Sequence, residues 1–383
     1  MGMRYSKTIL AISLFSFILF LSALCSKKSA YPVQTELIDG VKVITNPDFP
    51  RDGTVQYAME EELSIGADEA DEKALLNFPR EVKVADDGTI YVMDWRDVCI
   101  KVYDSNGKYL RSVGRKGEGP GEFNTPVYMD LSQDGRIFLL DGSKYRTVIL
   151  DGNGNHLGGF RLEGYHSGMK TDDMNRLYFS KRTPKKSHEE LPITKEYLEV
   201  ENDVTILRTD SGGENMFQFG PFSGEKDPIR RADKDNYLMG PPLYSIVWTV
   251  DEEGKLYQGF NQYYRINVFD PEGNQLFAFG REYIPVKNKR YSGRSLQLKD
   301  QPPFKPGGWI LDEKGNLWIL IYSENEDEEV YDVFSPEGIY LKQVTLPHLI
   351  YQLKNKKAYS IVSTEEGFRV VKRFRLREKA ETK

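Results

Sequence analysis

Hydrophobic and polar residues alternate along most of this chain, in short runs that are separated by Asp-Gly turns. Residues 82–107 read VKVADDGTIYVMDWRDVCIKVYDSNG, and residues 127–154 read VYMDLSQDGRIFLLDGSKYRTVILDGNG. Each stretch holds an apolar strand, an Asp-Gly turn, a second strand that ends in Asp, a polar loop and a third strand. Alternation with period two around Asp-Gly predicts β-hairpins, because such turns need residues that adopt positive φ.

The same order of strands and turns recurs down the chain. A third unit, at residues 168–213, is split by a polar insertion near 181–203 and is followed by a second insertion near 221–240. Further copies lie at 246–273, 309–338 and 349–376, and the last of them is degenerate. A fourth strand continues several units, as in YLRSVGRKG at 109–117. Four short antiparallel strands repeated every ~40–60 residues are typical of β-propeller blades, which bury each other's faces.

The residues before the first unit supply a strand that the last unit lacks. Residues 61–66 (EELSIG) look like the end of a fourth strand, whereas the sixth unit has only three strands. We therefore expect the strand near 56–66 to complete the last blade and close the ring, which leaves only short, protected edges. The predicted fold is all-β: a six-bladed β-propeller of four-stranded antiparallel blades at 56–376, after a tether and lead-in at 26–55 and before a polar tail at 377–383.

The glycine-rich stretch GRKGEGPGEFNTP, residues 114–126, joins two of these units. It lacks the G-x-x-x-x-G-K-[ST] pattern of a phosphate-binding loop, and a strand rather than a helix follows it. Its glycines therefore suit a tight crossover between blades. The connector, the D-x-x-G-x-I-Y-V-x-D core of the units and their I-x-V-Y/F-D-x-x-G ending together resemble NHL repeats. The resemblance implies a bacterial six-bladed propeller lipoprotein, and it implies fold and export more strongly than any activity.

Residues 1–25 have the features of an export signal. Two basic residues precede an apolar run from Ile9 to Leu24, and charge returns just after it. This pattern is typical of a secretory signal, and its ending resembles a bacterial lipoprotein signal with Cys25 as the lipidated residue. Two alternatives stay open: ordinary cleavage after Cys25 with soluble export, and an uncleaved N-terminal anchor. We expect residues 26–36 to serve as the tether.

Composition narrows the classes of partner. The chain has 58 acidic and 52 basic residues and a net charge of −6, which argues against nucleic acid as the main partner. Four His and two Cys are too few to favour a metal site made of histidine and thiol ligands. Cys99 lies in an alternating strand, and we expect it to be a small buried hydrophobe.

The loops between the second and third strands of the blades form the predicted binding surface. In a propeller these loops share one face with the blade connectors, and here they read DWRD at 94–97, DGSKYR at 141–146, NQYYR at 261–265 and SENEDEE at 323–329. Aromatic rings bury area at low entropy cost and Arg offers a planar donor fork, which together suit recognition. The alternative is that each Arg braces a neighbouring Asp within its blade. The predicted ligand-binding residues are Trp95, Arg96, Lys144, Tyr145, Arg146, Tyr263, Tyr264 and Arg265.

The sequence contains no motif for a catalytic nucleophile. Some NHL-type propellers are lyases that hold a metal through histidines near the axis, but this chain has only His156, His166, His188 and His348. Of these, only His166 and His348 are placed to reach the favoured face. A calcium ion held by carboxylates on the axis remains an alternative, although no D-x-D-x-D-G loop is present. We otherwise expect no catalytic residue, no metal and no cofactor.

These features favour a non-catalytic binding or scaffold propeller that is exported to the cell envelope and faces the periplasm or the exterior. We expect a monomer that is anchored to the membrane through lipid on Cys25. We expect it to recognise a protein or glycan, and not nucleic acid, through one rim of the disc. The alternative is a propeller lyase or hydrolase that acts on a peptide or carbohydrate at a rim or axial site.

Overall fold

The computed structural model describes residues 31–67, 71–164, 166–234, 236–240, 242–289 and 298–379. The chain divides into two units, Met1–Val33 and Gln34–Lys383, and the second contains all of the described strands. Among the described residues, no helical segment has the length and apolar character that a bilayer crossing requires. The predicted export signal and Cys25 lie outside the described residues.

Three strands precede the repeats. They are β1 (Gln34–Ile38), β2 (Val41–Asn46) and β3 (Thr54–Ile65). β1 and β2 form an antiparallel hairpin whose turn residues, Asp39 and Gly40, both have positive φ.

The first three blades follow in chain order. Blade 1 contains β4 (Pro79–Val84), β5 (Ile90–Asp94), β6 (Cys99–Tyr103) and β7 (Tyr109–Val113). Blade 2 contains β8 (Pro126–Leu131), β9 (Ile137–Asp141), β10 (Arg146–Leu150) and β11 (His156–Gly158). Blade 3 contains β12 (His166–Thr171), β13 (Leu177–Pro184), β14 (Leu198–Thr209), β15 (Phe217–Arg231) and β16 (Tyr237–Met239), with a short 3-10 helix at His188–Glu190.

The last three blades repeat the antiparallel order. Blade 4 contains β17 (Ile246–Val250), β18 (Leu256–Phe260), β19 (Arg265–Phe269) and β20 (Gln275–Arg281). Blade 5 contains β21 (Ile310–Leu311), β22 (Leu317–Ile321), β23 (Glu329–Phe334) and β24 (Tyr340–Leu346). Blade 6 contains β25 (Gln352–Lys354), β26 (Lys357–Ser363), β27 (Arg369–Glu378) and β3.

The ring closes through the N-terminal strand, which confirms the prediction. β3 pairs antiparallel with β27, with Tyr57 opposite Glu378 and Ile65 opposite Val371. β3 is therefore the fourth strand of blade 6. Its first residues, at 54–56, also pair in parallel with β24, so one strand connects blades 5 and 6.

Part of the predicted lead-in, the hairpin of β1 and β2, pairs with the propeller. β2 lies parallel to β20, so the N-terminal hairpin extends the sheet of blade 4 to six strands. The Asn46 side chain donates hydrogen bonds to the carbonyl oxygens of Gly280 (2.8 Å) and Gly338 (2.9 Å) and accepts one from the Tyr340 N–H (3.0 Å). The hairpin is thus fastened to blades 4 and 5.

The hydrophobic core consists of the contacts between neighbouring blades. Ile100 of blade 1 packs with Met129 and Leu139 of blade 2, and all three are fully buried or nearly so. Tyr359 of blade 6 packs in the same way against blade 1. Cys99 is buried, as expected from its strand pattern. Since each blade covers its neighbours, every blade contributes to the burial of two others.

Blade 3 is larger than the others because its two insertions continue the sheet. β14 has 12 residues and β15 has 15 residues, and β16 adds a fifth strand. Leu191, Val200 and Ile229 form a small buried core in this part. We call the described residues of 181–203 and 221–240 the blade 3 extension. The sequence predicts polar insertions at these positions, and pairing with blade 3 turns them into strands.

Candidate functional site

The order of strands places the loops on two opposite faces of the ring. One face, which we call the connector face, carries the blade connectors and the loops between second and third strands at 95–98, 142–145, 185–197, 261–264 and 322–328. The other, which we call the hairpin face, carries the loops between first and second strands at 85–89, 132–136, 172–176, 251–255 and 312–316. The eight predicted ligand-binding residues lie in the connector-face turns of blades 1, 2 and 4 or begin the strands that follow them.

A buried Asp at the end of the second strand organises the connector-face turn in blades 1 and 2. Asp94 accepts hydrogen bonds from the backbone N–H groups at 77–78, at 2.7 and 3.1 Å. Asp141 accepts equivalent bonds from the N–H groups at 124–125, at 3.1 and 3.0 Å. Each Asp therefore ties the incoming connector to its turn. Burial opposes ionisation of Asp141, but hydrogen bonds from Ser143 and the connector outweigh it and lower the pKa.

Two of the predicted residues belong to the framework of the blades rather than to an open surface. Arg146 Nε lies 3.4 Å from Asp141 Oδ2, and Arg146 Nη2 donates to the Glu122 carbonyl oxygen at 2.8 Å. Arg146 thus braces its neighbouring Asp, the alternative that the sequence left open. Tyr264 is 9% exposed and donates its hydroxyl hydrogen to Asp332 Oδ2 at 2.6 Å. Burial, followed by the charge of Asp332, raises the pKa of Tyr264 well above its usual range.

Tyr264 is part of a buried polar network between blades 4 and 5. Asp332 also accepts hydrogen bonds from Arg281 Nε (2.7 Å) and from the Tyr340 hydroxyl (2.6 Å). The Arg281 guanidinium lies 4.8 Å from the centre of the Tyr264 ring. With Gln343 as a further donor at 3.1 Å, the carboxylate of Asp332 is fully engaged, so this network stabilises the blade junction.

Three of the predicted aromatic side chains are exposed on the connector face. Trp95 is 41% exposed, Tyr145 is 42% exposed and Tyr263 is 62% exposed. Trp95 is held in place by the edge of Phe78, with ring centres 6.0 Å apart, and by the guanidinium of Arg80 at 5.8 Å. Trp95 therefore presents apolar area to solvent from a supported position.

The remaining predicted residues supply charge near these rings. In the part of the chain that the structure describes, the side chains of Arg96 and Arg265 have no hydrogen-bond or ion-pair partner. Arg96 is exposed and Arg265 is half-buried. Lys144 forms an ion pair with Glu118 at 2.8 Å, and both side chains are largely exposed, so this pair contributes little to stability.

The blade 3 extension stands on the same face as these turns. It continues β13 and β14, whose connecting loop belongs to the connector face. Its exposed apolar side chains include Ile193, Leu238 and Met239. The structure therefore adds an apolar surface to the connector face at positions where the sequence predicts polar insertions.

The glycine-rich connector at 114–126 binds one of its own carboxylates. Glu122 accepts hydrogen bonds from the Gly119 N–H (2.9 Å) and from Arg115 Nε (2.7 Å), in that order of effect, and both lower its pKa. A Cβ atom at Gly117 would overlap this carboxylate. The space inside this loop is thus filled by its own Glu122 carboxylate, which agrees with the predicted role of the connector as a tight crossover between blades.

The histidines are dispersed. His166 is buried, with Nδ1 3.0 Å from a backbone carbonyl, and His348 is half-buried against the Phe374 ring. Burial lowers the pKa of both. His156 is exposed in β11, and the side chain of His188 lies outside the described residues. Within the described ranges no group of three His, Cys, Asp or Glu side chains is arranged to hold a metal ion.

A second group of polar residues, which sequence reasoning missed, surrounds the axis of the ring. The first strands of the six blades line a cavity of about 230 Å³ that opens near the hairpin face. Lys83, Asp130 and Lys170 line it, and Glu81 contacts Lys83. The available signal was a charged residue at alternate positions of otherwise apolar first strands, as in EVKV at 81–84.

Comparison with known proteins agrees with this architecture. The DUF5128 family, described as a 6-bladed beta-propeller, matches residues 68–279. The chain belongs to this family. A search of curated proteins found no match.

Similar solved structures share little sequence identity with this chain. A duf4221 family member from Bacteroides vulgatus is 12% identical with a TM-score of 0.54, over 85% of this chain and 99% of that chain. A Bacteroides fragilis protein described as exported is 10% identical with a TM-score of 0.47, over 88% and 98% of the two chains. Virginiamycin B lyase from Staphylococcus aureus is 11% identical with a TM-score of 0.41, over 85% and 89%. At such identities the likeness concerns the fold alone.

Proposed function

We propose that this protein is an exported, non-catalytic propeller that binds a protein or glycan partner through its connector face. The observation that supports the proposal is the exposure of Trp95, Tyr145 and Tyr263 at turns of three different blades on that face. Rigid aromatic side chains each bury about 150–250 Å² when covered and lose little conformational entropy. The exposed Arg96 adds a guanidinium with no partner of its own among the described residues.

Membrane anchoring completes the proposal. In this proposal the blades are NHL-type repeats, residues 1–25 are the export signal and Cys25 is the lipidated residue. The protein is then a monomeric lipoprotein of the cell envelope. Each acyl CH₂ buried in a bilayer contributes roughly 0.8 kcal/mol. This anchor would hold the connector face near envelope partners.

Intact mass of the protein from its membrane fraction tests the anchor. We expect a mass that fits cleavage before Cys25 plus acyl chains, and we expect this mass to be lost in a Cys25→Ala variant. An unmodified chain that begins at Ser26 would contradict the lipid anchor while leaving the binding surface untouched.

Binding through the connector face is tested with glycan and peptide arrays probed with the whole protein. A Trp95→Ala/Tyr263→Ala double variant is compared with a Met174→Ala/Met216→Ala control, whose side chains are 71% and 52% exposed in hairpin-face loops of blade 3. We expect the first variant to lose at least about tenfold in affinity for each ligand found, because exposed aromatic contacts dominate recognition surfaces. A ligand that binds both variants equally well would contradict the proposal.

A further inference from the structure

Three charged side chains from the first strands of three neighbouring blades, Lys83, Asp130 and Lys170, line the axial cavity, and a fourth, Glu81, contacts Lys83 beside it. Lys83 lies between two carboxylates, 2.8 Å from Asp130 and 3.6 Å from Glu81. Burial opposes the charge of Lys83, but the charges of Asp130 and Glu81 outweigh it and raise the pKa. Lys83 is therefore a fixed cation that is held by two partners.

Both carboxylates are also engaged by the backbone. Asp130 Oδ2 accepts the Thr171 N–H at 2.9 Å, and Glu81 Oε2 accepts the Met129 N–H at 2.6 Å. Burial of Asp130 is outweighed by Lys83, so its pKa is lowered. Burial prevails at Glu81, and its pKa is raised. These bonds hold the two acids in place around Lys83.

Lys170 differs from Lys83 because it has no partner of its own. Its half-buried side chain lines the cavity, and among the described residues it forms no hydrogen bond or ion pair. The charge of Lys83, followed by burial, outweighs the attraction of Asp130 and Glu81 and lowers the pKa of Lys170. A lysine that is desolvated beside another cation is an activated amine nucleophile.

The other charged groups of the cavity lie at its mouth. They are Asp86, Asp172, Asp173, Glu252 and Lys354. Lys354 is paired with Asp86 at 2.5 Å, and Arg176 is paired with Asp172 at 2.6 Å. Thr249, Trp309 and Gln352 are among the uncharged residues that blades 4, 5 and 6 contribute to the lining. Lys170 is thus the amine of this cavity that lacks an ion-pair partner in the described structure.

We propose that Lys170 binds a small aldehyde or ketone reversibly, as an imine, in the axial cavity. The amine lone pair attacks the carbonyl carbon to form the C–N bond, a proton passes from nitrogen to oxygen, and the hydroxyl leaves as water. In sum, one ammonium and one carbonyl give one iminium and one water, so atoms and charge balance without an oxidant or reductant. A cavity of about 230 Å³ is smaller than the ~300–1,000 Å³ of drug-sized pockets, so the ligand is a small carbonyl compound.

This site is independent of the connector face, because it lies on the axis near the opposite face. The imine is covalent binding rather than turnover, which is compatible with a non-catalytic propeller. Failure of either proposal leaves the other intact.

Reductive trapping on the full-length protein tests the site. The protein is incubated with propionaldehyde and sodium cyanoborohydride at about pH 6.5, and modification of each lysine is followed by peptide mass mapping over time. Lys354 is the internal control, since it lines the same cavity and is ion-paired. We expect Lys170 to be modified several times faster than Lys354, because the pKa of Lys170 is lowered and its amine has no partner, whereas the Lys354 amine is held by Asp86.

Variants of Lys83 connect this reactivity to the neighbouring charge. In Lys83→Met, Glu81 and Asp130 lose their cation and stabilise protonated Lys170, so its modification should slow towards the rate of Lys354. Lys83→Arg keeps the charge and should keep the fast rate. Modification of Lys170 in the wild type that is no faster than that of Lys354, or that is the same in both variants, would overturn the proposal. The wild-type comparison remains decisive even where Lys83→Met is poorly folded.

Discussion

In blade 2, Arg146 begins the third strand directly opposite Asp141, whereas in blade 1 Arg96 lies inside the turn, two residues after Asp94. The first arginine reaches the buried carboxylate and a carbonyl of the connector. The second points its side chain to solvent, and Asp94 accepts the backbone N–H of Arg96 instead, at 3.1 Å. Similar turns thus contain arginines with different roles.

Blade 4 shows the same contrast between two adjacent tyrosines. Tyr263 is exposed at the tip of the turn, whereas Tyr264 is buried against Asp332. Asn261, the residue after the end of β18, accepts the Ser245 N–H at 2.7 Å and so ties the incoming connector as the buried Asp does in blades 1 and 2. Residue type alone therefore does not separate framework from surface. Position in the turn does not either, since Tyr145 and Tyr264 both directly precede a third strand, yet Tyr145 is exposed and Tyr264 is buried.

The largest effect is expected when the buried acceptor of blade 2 is removed. Asp141→Ala leaves several buried N–H groups without an acceptor, and each costs roughly 1–3 kcal/mol, so we expect the free energy of unfolding to fall by about 3 kcal/mol or more. Denaturant unfolding measures it, with the exposed Asp87→Ala as control. A loss within the error of that control would show that the connector does not depend on Asp141.

A medium effect is expected from the two arginines. Arg146→Ala should lower the free energy of unfolding by about 1–2 kcal/mol, since it removes hydrogen bonds to buried acceptors. Arg96→Ala should leave unfolding unchanged and weaken ligand binding at the connector face. Denaturant unfolding of both variants, side by side, makes the comparison. Equal losses would remove the distinction between the two turns.

The tyrosine pair should give a smaller difference. Tyr264→Phe removes one buried hydrogen bond to a carboxylate and should lower the free energy of unfolding by about 1–2 kcal/mol. Tyr263→Phe should have no measurable effect on stability. Thermal unfolding of the two variants distinguishes them, and a stability loss at Tyr263 would show that its turn is part of the framework.

The smallest effect concerns pH. Because the folded structure lowers the pKa of Asp141, this group contributes stability above its unfolded pKa and loses it as pH falls through the lower, folded pKa. The difference in unfolding free energy between wild type and Asp141→Asn should therefore be constant near neutral pH and shrink in acid. Denaturant unfolding at a series of pH values measures it. A difference that grows in acid would mean that folding does not lower the pKa of Asp141.

Much of the fold could be predicted because its signals are local. Gly or Asn residues with positive φ, such as Gly88, Gly135 and Asn175, mark the first hairpin turn of the blades, and these turn signals depend only on neighbouring residues. The surplus strand at the start and the missing strand at the end predicted the closure through β3. The N-terminal hairpin on blade 4 could not be predicted, because parallel pairing between β2 and β20 depends on residues more than 200 positions apart.

The candidate site was only partly accessible to such reasoning. The aromatic and arginine pairs could be found as residue types, but exposure separates Tyr263 from Tyr264, and it depends on where Asp332 and Arg281 lie in another part of the ring. The axial lysines were missed because Lys83 and Lys170 come from different blades, and only the closed ring brings them into one cavity.

The sequence by itself determined the strand order, the six repeats and the face on which each loop emerges, since hairpin periodicity and turn chemistry act over a few residues. Tertiary structure alone decided which arginine is a brace, which tyrosine is buried and which lysine lacks a partner. Burial and ion pairing depend on all the neighbours of a side chain. The closed ring brings these neighbours together from distant parts of the chain, so no local sequence pattern predicts them.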